Sequence, residues 1–177
     1  MGNLIDDLTN GTTTVKALHA FDQLDPIDLD FMLGRWTGAE IPTGHPLDRL
    51  LEASNWYGKE FVDADNVHPL VLSKRNGQTY KTTPMMLMMT LGMNVPIFKN
   101  LAMKPINGLV TRLVATHKSK ARMRMLDFRG KTSATMIYDR LPIHDHFRKI
   151  DEHTVMGLMD FKGVENPYFF ILQREAE

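Results

Sequence analysis

The 177-residue sequence contains no cysteine, which excludes disulfides, thiolate metal ligands and cysteine nucleophiles. It also lacks net charge, because 21 basic residues balance 21 acidic ones. No global field therefore favours nucleic acid or an anionic membrane. No stretch supplies the ~20 apolar residues of a membrane helix, and the N-terminus lacks the features of a signal peptide. These absences predict a cytoplasmic protein without a membrane span and without a nucleic-acid partner.

Sequence motifs for phosphate binding and for nucleophilic hydrolysis are also missing. There is no Walker A pattern, no G-x-G-x-x-G and no G-x-S-x-G, which argues against nucleotide-dependent and α/β-hydrolase chemistry. There is no H-E-x-x-H either. His144 and His146 share one strand face, where two imidazoles can bind metal only with a third ligand. We interpret them as a solvated pair and predict no metal site.

Methionine is abundant, with 13 in the chain and five of them from Met85 to Met93. Residues 84–114 are apolar but interrupted by glycine and proline, which predicts a helical insertion across a larger domain rather than a membrane span. Methionine adapts to apolar ligands of varied shape. Met85, Met88 and Met89 are therefore candidates for a ligand-contacting lid, and the alternative is that they fill a core.

Most of the remaining sequence consists of short alternating stretches separated by tight turns, which predicts an antiparallel meander. The first stretch, residues 29–41, contains Gly34, Trp36 and Gly38, and the last is residues 168–174. About eight such strands close into a barrel that holds one small ligand. The fold class is thus predicted as mainly β, an antiparallel barrel spanning residues 29–177. Residues 1–28 are predicted as a tail and one amphipathic helix.

Several motifs resemble the bacterial GXWXG-domain family and the DUF4334 domain that usually follows it. The first set is Gly34-Arg35-Trp36-Thr37-Gly38, Thr43-Gly44-His45-Pro46 and Trp56-Tyr57-Gly58-Lys59; the second includes Met136-Ile137-Tyr138-Asp139 and Pro142-Ile143-His144-Asp145-His146-Phe147-Arg148. The resemblance places a GXWXG part at about residues 29–75 and a DUF4334 part at about 118–175. It implies a bacterial protein and leaves its activity open.

A looser resemblance is to the calycins, which include lipocalins, fatty-acid-binding proteins and nitrobindin-like barrels. Their first strand carries Gly-x-Trp, and a basic residue of the last strand packs across the indole. The resemblance implies a lipocalin-like barrel in which Gly34, Trp36, Gly38 and Arg174 are structural. A guanidinium stacks favourably on an aromatic face.

Polar residues on apolar strand faces are the candidates for chemistry. Period-2 geometry places Tyr57, Lys59 and Phe61 on one face, and Asp145 on the face of Ile143 and Phe147. Asp160 shares a face with Met156 and Leu158. Such carboxylates must be paired, hydrogen-bonded or neutral. A structural interpretation pairs Asp145 with Lys59 or Arg148; a catalytic interpretation gathers Asp145, Asp160, Lys59, His45 and Tyr57 around one polar spot.

The sequence thus leaves three functions open. The first is binding of a small hydrophobic or amphipathic molecule inside the barrel, with no cofactor and a wall formed by Trp56, Tyr57, Met85, Met88, Met89, Tyr138 and Phe147. The second is a cofactor-independent isomerase, cyclase or lyase in the same cavity. The third, a minor alternative, is a haem barrel with His45, His68 or His153 as ligand. Exposed edge strands could also pair two copies into a homodimer.

Overall fold

The computed structural model describes residues 2–83 and 115–176. Within these two ranges, four helices and nine strands follow in chain order: α1 Gly2–Thr9, α2 Thr14–Gln23, α3 Leu29–Met32, β1 Gly34–Ile41, α4 Leu50–Ala53, β2 Trp56–Phe61, β3 Val67–Ser73, β4 Thr79–Lys81, β5 Ala121–Phe128, β6 Lys131–Tyr138, β7 Ile143–Lys149, β8 Thr154–Phe161 and β9 Tyr168–Arg174. The chain is mainly β, as the alternating stretches predict.

Eight antiparallel strands form a closed ring in the order β2, β1, β9, β8, β7, β6, β5, β3, and β3 returns to β2. Strand β4 extends the sheet from β3. The first and last barrel strands pair from Trp36 with Arg174 to Ile41 with Phe169, six residue pairs in all. By contrast, β3 and β5 share one register pair, Val67 with Ala121. The predicted barrel is confirmed, and its closure is uneven around the ring.

The N-terminal part of the first predicted strand is helical instead. Asp28 caps the short helix α3 through a hydrogen bond from the Phe31 amide to its carboxylate, so residues 29–32 form a turn of helix before β1 begins at Gly34. Gly34 makes this change of direction with φ +110°, a backbone conformation that favours glycine. Residues 2–9, predicted to be loose, form helix α1, and α2 confirms the predicted amphipathic helix.

The apolar core has two layers on either side of the barrel wall. The inner cluster fills the barrel and includes Trp36, Phe61, Met136 and Phe147. The outer cluster lies between the helices and the outside of β8 and β9, where Phe21 of α2 packs with residues that include Met156, Leu158, Phe169 and Ile171. An apolar side chain on β8 can therefore be buried on either side of the wall, which affects how alternation along that strand is interpreted.

An isolated bridge joins Thr82 to Ala115, so the chain leaves and re-enters the described region beside β4. The predicted helical insertion at 84–114, with Met85, Met88 and Met89, lies outside the described residues. Among the residues that are described, no helix is long and apolar enough to cross a membrane.

Candidate functional site

Trp36 closes one end of the barrel interior. Its side chain is fully buried, and its indole N–H donates to the carbonyl of Met32 at 2.8 Å. The guanidinium carbon of Arg174 lies 4.3 Å from the centroid of the indole ring. The same guanidinium donates to the carbonyls of Phe31 and Leu33 at the end of helix α3. The first and last strands of the barrel, β1 and β9, thus meet at one aromatic side chain.

Gly38, two residues along β1, leaves space for a second indole. A Cβ atom at this position would lie 2.2 Å from the ring of Trp56, a separation that no side-chain movement of a few tenths of an ångström relieves. The Trp56 ring packs edge-on against Phe170, with 5.9 Å between centroids. The second glycine of the Gly-x-Trp-x-Gly pattern therefore shapes the interior wall next to the polar site.

Lys59 and Asp145 form an ion pair inside the barrel. The Lys59 Nζ atom lies 2.9 Å from Asp145 Oδ2, and the two side chains are 3% and 1% exposed. They reach each other from opposite sides of the ring, since Lys59 is on β2 and Asp145 on β7. The ammonium also donates to the carbonyl of Pro69 at 3.1 Å. The pairing with Lys59, rather than with Arg148, is the one that the structure contains.

The ion pair lies among aromatic rings. Lys59 Nζ is 5.0 Å from the ring centroid of Phe170, 5.7 Å from Trp56 and 5.8 Å from Tyr138, distances at which a ring attracts a cation. Burial raises the pKa of the Asp145 carboxyl, and the ion pair with Lys59 acts against that rise. The buried Asp145 Oδ1 atom has no hydrogen-bond partner among the described residues. Within the described part of the chain, one acceptor atom of the pair is therefore unpaired.

An apolar pocket adjoins this pair and encloses about 360 Å³ of atom-free space, part of it open to solvent. Three of the wall residues come from the segment around α4, which the Glu40 carboxylate fixes by accepting the backbone N–H groups of Arg49, Leu51 and Glu52. The pocket is lined by six apolar side chains, two tyrosines and the ion pair: Leu47, Leu50, Leu51, Leu70, Met159, Phe170, Tyr138, Tyr168, Lys59 and Asp145.

The two tyrosine hydroxyls in the pocket stay protonated over the physiological pH range. Burial raises the pKa of Tyr138 well above its ordinary value, and the negative charge of Asp145 adds to the effect. Burial and the nearby Glu40 carboxylate raise the pKa of Tyr168. The Tyr168 hydroxyl has no hydrogen bond of good geometry among the described residues. The pocket thus presents neutral hydroxyls beside one carboxylate and one ammonium.

The structure brings together some predicted site residues and separates others. Lys59, Asp145 and Tyr138 line the pocket. Trp56 and Phe147 lie in the adjacent wall, where both contact Phe170. The three leucines of residues 47–51, together with Leu70, Met159, Tyr168 and Phe170, were not predicted as wall residues. The apolar side of the short helix after Pro46 was the available signal for the first three.

Asp160 does not belong to the pocket. It is exposed and lies on the outside of the barrel, opposite His144 on the neighbouring strand. The sequence correctly places Asp160 on the face of Met156 and Leu158, but that face is the outer one, buried under the helices. The catalytic interpretation that joins Asp160 to Asp145 is therefore wrong.

Tyr57 also lies away from Lys59. Its hydroxyl hydrogen-bonds the Glu175 carboxylate, and its ring contacts the guanidinium of Arg35 in a partly exposed polar cluster. The period-2 prediction fails here because β2 has register shifts against β3 at Trp56/Gly58 and at Gly58/Glu60. A bulge of this kind changes the side to which a side chain points, and it directs Trp56 towards the interior in place of Tyr57.

His45 holds a turn in place rather than facing the pocket. Its Nδ1 atom accepts the Leu47 amide at 3.1 Å, and its Nε2–H donates to the Asn166 carbonyl at 3.1 Å. Burial lowers the pKa of His45. With both ring nitrogens occupied, the imidazole offers no free atom for proton transfer or for haem.

The other two histidines suggested for haem lie elsewhere. His68 is buried on β3 near Lys81 and Glu60, and His153 is exposed in the turn before β8. Neither lines the pocket formed by the described residues. The donor set around this pocket therefore does not fit a haem axial ligand.

Comparisons with known proteins identify the family. A model of the GXWXG protein matches residues 19–77, and a model of a domain of unknown function, DUF4334, matches residues 119–174. A crystal structure of a protein from Thermomonospora curvata is 32% identical, with a TM-score of 0.70 over 94% of this chain and 90% of that chain. No curated protein matches the sequence. The chain belongs to the family that combines a GXWXG segment with a DUF4334 domain in one β-barrel.

Proposed function

We propose that the barrel binds a small, mostly apolar molecule that carries one hydrogen-bond donor. The observation that supports this function best is the buried Lys59–Asp145 pair at the edge of an apolar pocket. Ligand pockets are typically apolar concavities with a few placed polar groups that orient the ligand. The six apolar wall residues would hold the body of the ligand, and the ion pair would orient its polar end.

The polar end is specified by the unused acceptor. Asp145 Oδ1 is buried and lacks a described partner, and an unsatisfied buried acceptor costs about 1–3 kcal/mol. A hydroxyl or N–H group of the ligand would satisfy it. Two of the three N–H donors of Lys59 are already used, by Asp145 and by the Pro69 carbonyl, and a ligand carboxylate would place a second negative charge beside Asp145. An alcohol or an amide fits this arrangement better than a free carboxylate.

Native mass spectrometry of the protein as purified from cells tests the container directly. We expect an apolar molecule that is released on denaturation, and the emptied protein should bind the fluorophore N-phenyl-1-naphthylamine. Leu50→Trp narrows the pocket at the partly exposed helix α4 and should weaken fluorophore binding. Met125→Trp is the matched control, because Met125 is 41% exposed on β5 and does not line the pocket. No co-purified molecule and fluorophore binding equal in both variants would refute the proposal.

Selectivity for a donor is tested by competition. Decanol and decyl methyl ether have similar apolar chains, but only the alcohol donates a hydrogen bond. We expect decanol to displace the fluorophore at about tenfold lower concentration, as a hydrogen bond to a charged group of about 1.5–3 kcal/mol implies. The preference should disappear in Asp145→Asn. Equal competition by the two compounds in the wild-type protein would leave apolar binding intact and exclude the role of Asp145.

A second candidate is acid–base catalysis on the bound molecule. It is favoured by one observation, the buried carboxyl whose pKa is raised beside the neutral Tyr138 hydroxyl, since a general base requires a pKa near the working pH. Incubation of the loaded protein in D₂O would test it. Deuterium incorporation into a C–H position of the ligand, lost in Asp145→Asn while binding persists, supports catalysis; no incorporation supports binding alone.

A further inference from the structure

Three potential metal ligands meet on the outer face of the barrel, on the same strands that carry the inner pocket. His144 and His146 are two residues apart on β7 and therefore point to the same side. Asp160 on β8 is the direct register partner of His144. One ligand atom from each of the three residues can be chosen so that all lie within 4.8 Å of one another. The sheet register itself therefore assembles two imidazoles and one carboxylate.

The orientation of the His146 ring follows from its hydrogen bonds. Thr135 Oγ1 lies 2.9 Å from His146 Nδ1 and 3.3 Å from the carbonyl of Ser133. A carbonyl only accepts, so the threonine proton is directed to Ser133 and the hydroxyl oxygen accepts Nδ1–H from the ring. This tautomer leaves a lone pair on Nε2. Metal-binding histidines generally donate their other ring N–H to a neighbouring acceptor in this way.

The His146 Nε2 atom is then a buried acceptor without a partner. His146 is 3% exposed, and its Nε2 has no hydrogen bond among the described residues. Phe128 stacks flat on the imidazole, with 3.7 Å between centroids and 2° between planes. The ring therefore cannot swing outward to reach water without losing this contact. A buried polar atom of this kind requires an explanation, and a bound ion would supply one.

From these contacts we propose a binding site for a divalent transition-metal ion, of the zinc type, formed by His144, His146 and Asp160. Nitrogen and carboxylate ligands suit Zn²⁺, and three protein ligands leave a coordination position open. The alternative of a hard cation such as Ca²⁺ is disfavoured, because that ion selects six to eight oxygen ligands. The site lies outside the barrel wall and is independent of the proposed ligand in the pocket.

Metal binding would require the ligand atoms of the three side chains to move closer together. Bonds of about 2.0–2.2 Å in a tetrahedron bring ligand atoms to roughly 3.4 Å from one another, so the present spacing of up to 4.8 Å must close. His146 is fixed by Phe128 and Thr135, whereas Asp160 is exposed and can move. Arg148 lies two residues beyond His146 on β7. Its guanidinium donates to the carbonyls of Phe128 and Lys131.

Titration of the tag-free, chelator-treated protein with Co²⁺ and then Zn²⁺ tests the site. We expect one equivalent of Co²⁺ to bind with a visible absorption band that Zn²⁺ abolishes. His144→Ala and Asp160→Asn should each weaken binding at least about tenfold, and Thr135→Val, which removes the acceptor for Nδ1–H, about 10–100-fold. His153→Ala removes an exposed imidazole outside the cluster and should leave binding unchanged.

Two outcomes of the Co²⁺ titration would contradict the metal site. Absence of Co²⁺ binding in the wild-type protein, or binding that His153→Ala weakens as much as His144→Ala, would overturn the proposal. Because His146 is buried, His146→Gln could fail to fold; the exposed Asp160→Asn and the partly exposed His144→Ala keep the test valid. Thermal unfolding supplies a second measurement, since an ion that binds only the folded state raises its stability with concentration.

Discussion

The two faces of strand β7 bury polar groups in different ways. On the inner face, Asp145 is charged and is paired with Lys59 at 2.9 Å. On the outer face, His146 is equally buried, but burial lowers its pKa to about 4 and the ring stays neutral at physiological pH. One face thus keeps charge by pairing it, and the other removes charge by deprotonation. Both solutions leave one acceptor atom without a partner among the described residues, Asp145 Oδ1 on the inner face and His146 Nε2 on the outer face.

The difference teaches what each face can bind. A charged pair in an apolar cavity favours a molecule that brings its own hydrogen-bond donor, because the pair's desolvation has already been paid in folding. A neutral imidazole lone pair favours a Lewis acid instead. Alternation along a single strand therefore presents one chemistry to the cavity and another to the exterior.

The largest expected effect comes from breaking the inner pair. Lys59→Met leaves the Asp145 carboxylate buried and unpaired, and we expect the free energy of unfolding to fall by about 3–5 kcal/mol. Asp145→Leu should cost a similar amount. The double variant should lose much less than the sum, because both charges are gone. Denaturant unfolding of the four proteins measures the coupling; additive losses would contradict a direct ion pair.

An intermediate effect should come from pH, acting on a buried neutral imidazole. The pKa of His45 in the folded protein is below its ordinary value because the ring is buried, so the unfolded chain takes up the proton first. The contribution of the neutral His45 ring to the free energy of unfolding is fully present above about pH 6.5, the pKa of an unperturbed histidine. This contribution declines as the pH falls below that value. Protonation of Nδ1 would also break the bond from the Leu47 amide.

His45→Asn isolates this contribution, because the amide oxygen can replace Nδ1 as acceptor and does not titrate. We expect thermal unfolding of this variant to depend less on pH below 6.5 than the wild-type protein does. His153→Asn, at an exposed position, is the matched control and should reproduce the wild-type profile. An unchanged profile in His45→Asn would show that other buried histidines carry the whole dependence.

The smallest expected effect sharpens the contrast between two aspartates on neighbouring strands. Asp160 is exposed, so Asp160→Asn should change the free energy of unfolding of the metal-free protein by no more than about 0.5 kcal/mol. Asp145→Asn leaves the Lys59 ammonium without its counter-charge and should cost several times more. Chemical denaturation of both variants makes the comparison, and equal losses would contradict the placement of Asp160 outside the wall.

The sequence was sufficient to predict the barrel, because alternating stretches and tight turns are local signals. It also indicated that Trp36 and the last strand meet, and that Asp145 is buried on an apolar face. Alternation could not decide which side of the wall holds Asp160, because helices α1 and α2 bury the outer face of β8 as well. The sequence of a strand indicates which side chains share a face. Whether that face is buried depends on segments that are distant in the sequence.

Two other parts of the site depend on details that periodicity does not contain. The register shifts in β2 exchange Tyr57 for Trp56 at the interior. Gly58 lies between the two shifts with φ +154°, and it is the signal in that stretch, because a glycine within a strand often marks a bulge. The leucines of α4 reach the pocket because Glu40, near the end of β1, accepts the first backbone N–H groups of that short helix. In both cases a contact between separate segments fixes the position.

The single register pair between β3 and β5 has a consequence for how the barrel fluctuates. The GXWXG segment supplies β1 to β3 and the DUF4334 segment supplies β5 to β9, so the two segments meet at a six-pair junction on one side and a one-pair junction on the other. Among the described residues, the weaker junction has fewer paired positions to break than the stronger one, and its strand β3 carries Leu70 of the pocket wall. We therefore expect the barrel to open first between β3 and β5, at Val67 and Ala121, while the pairing of β1 with β9 stays intact.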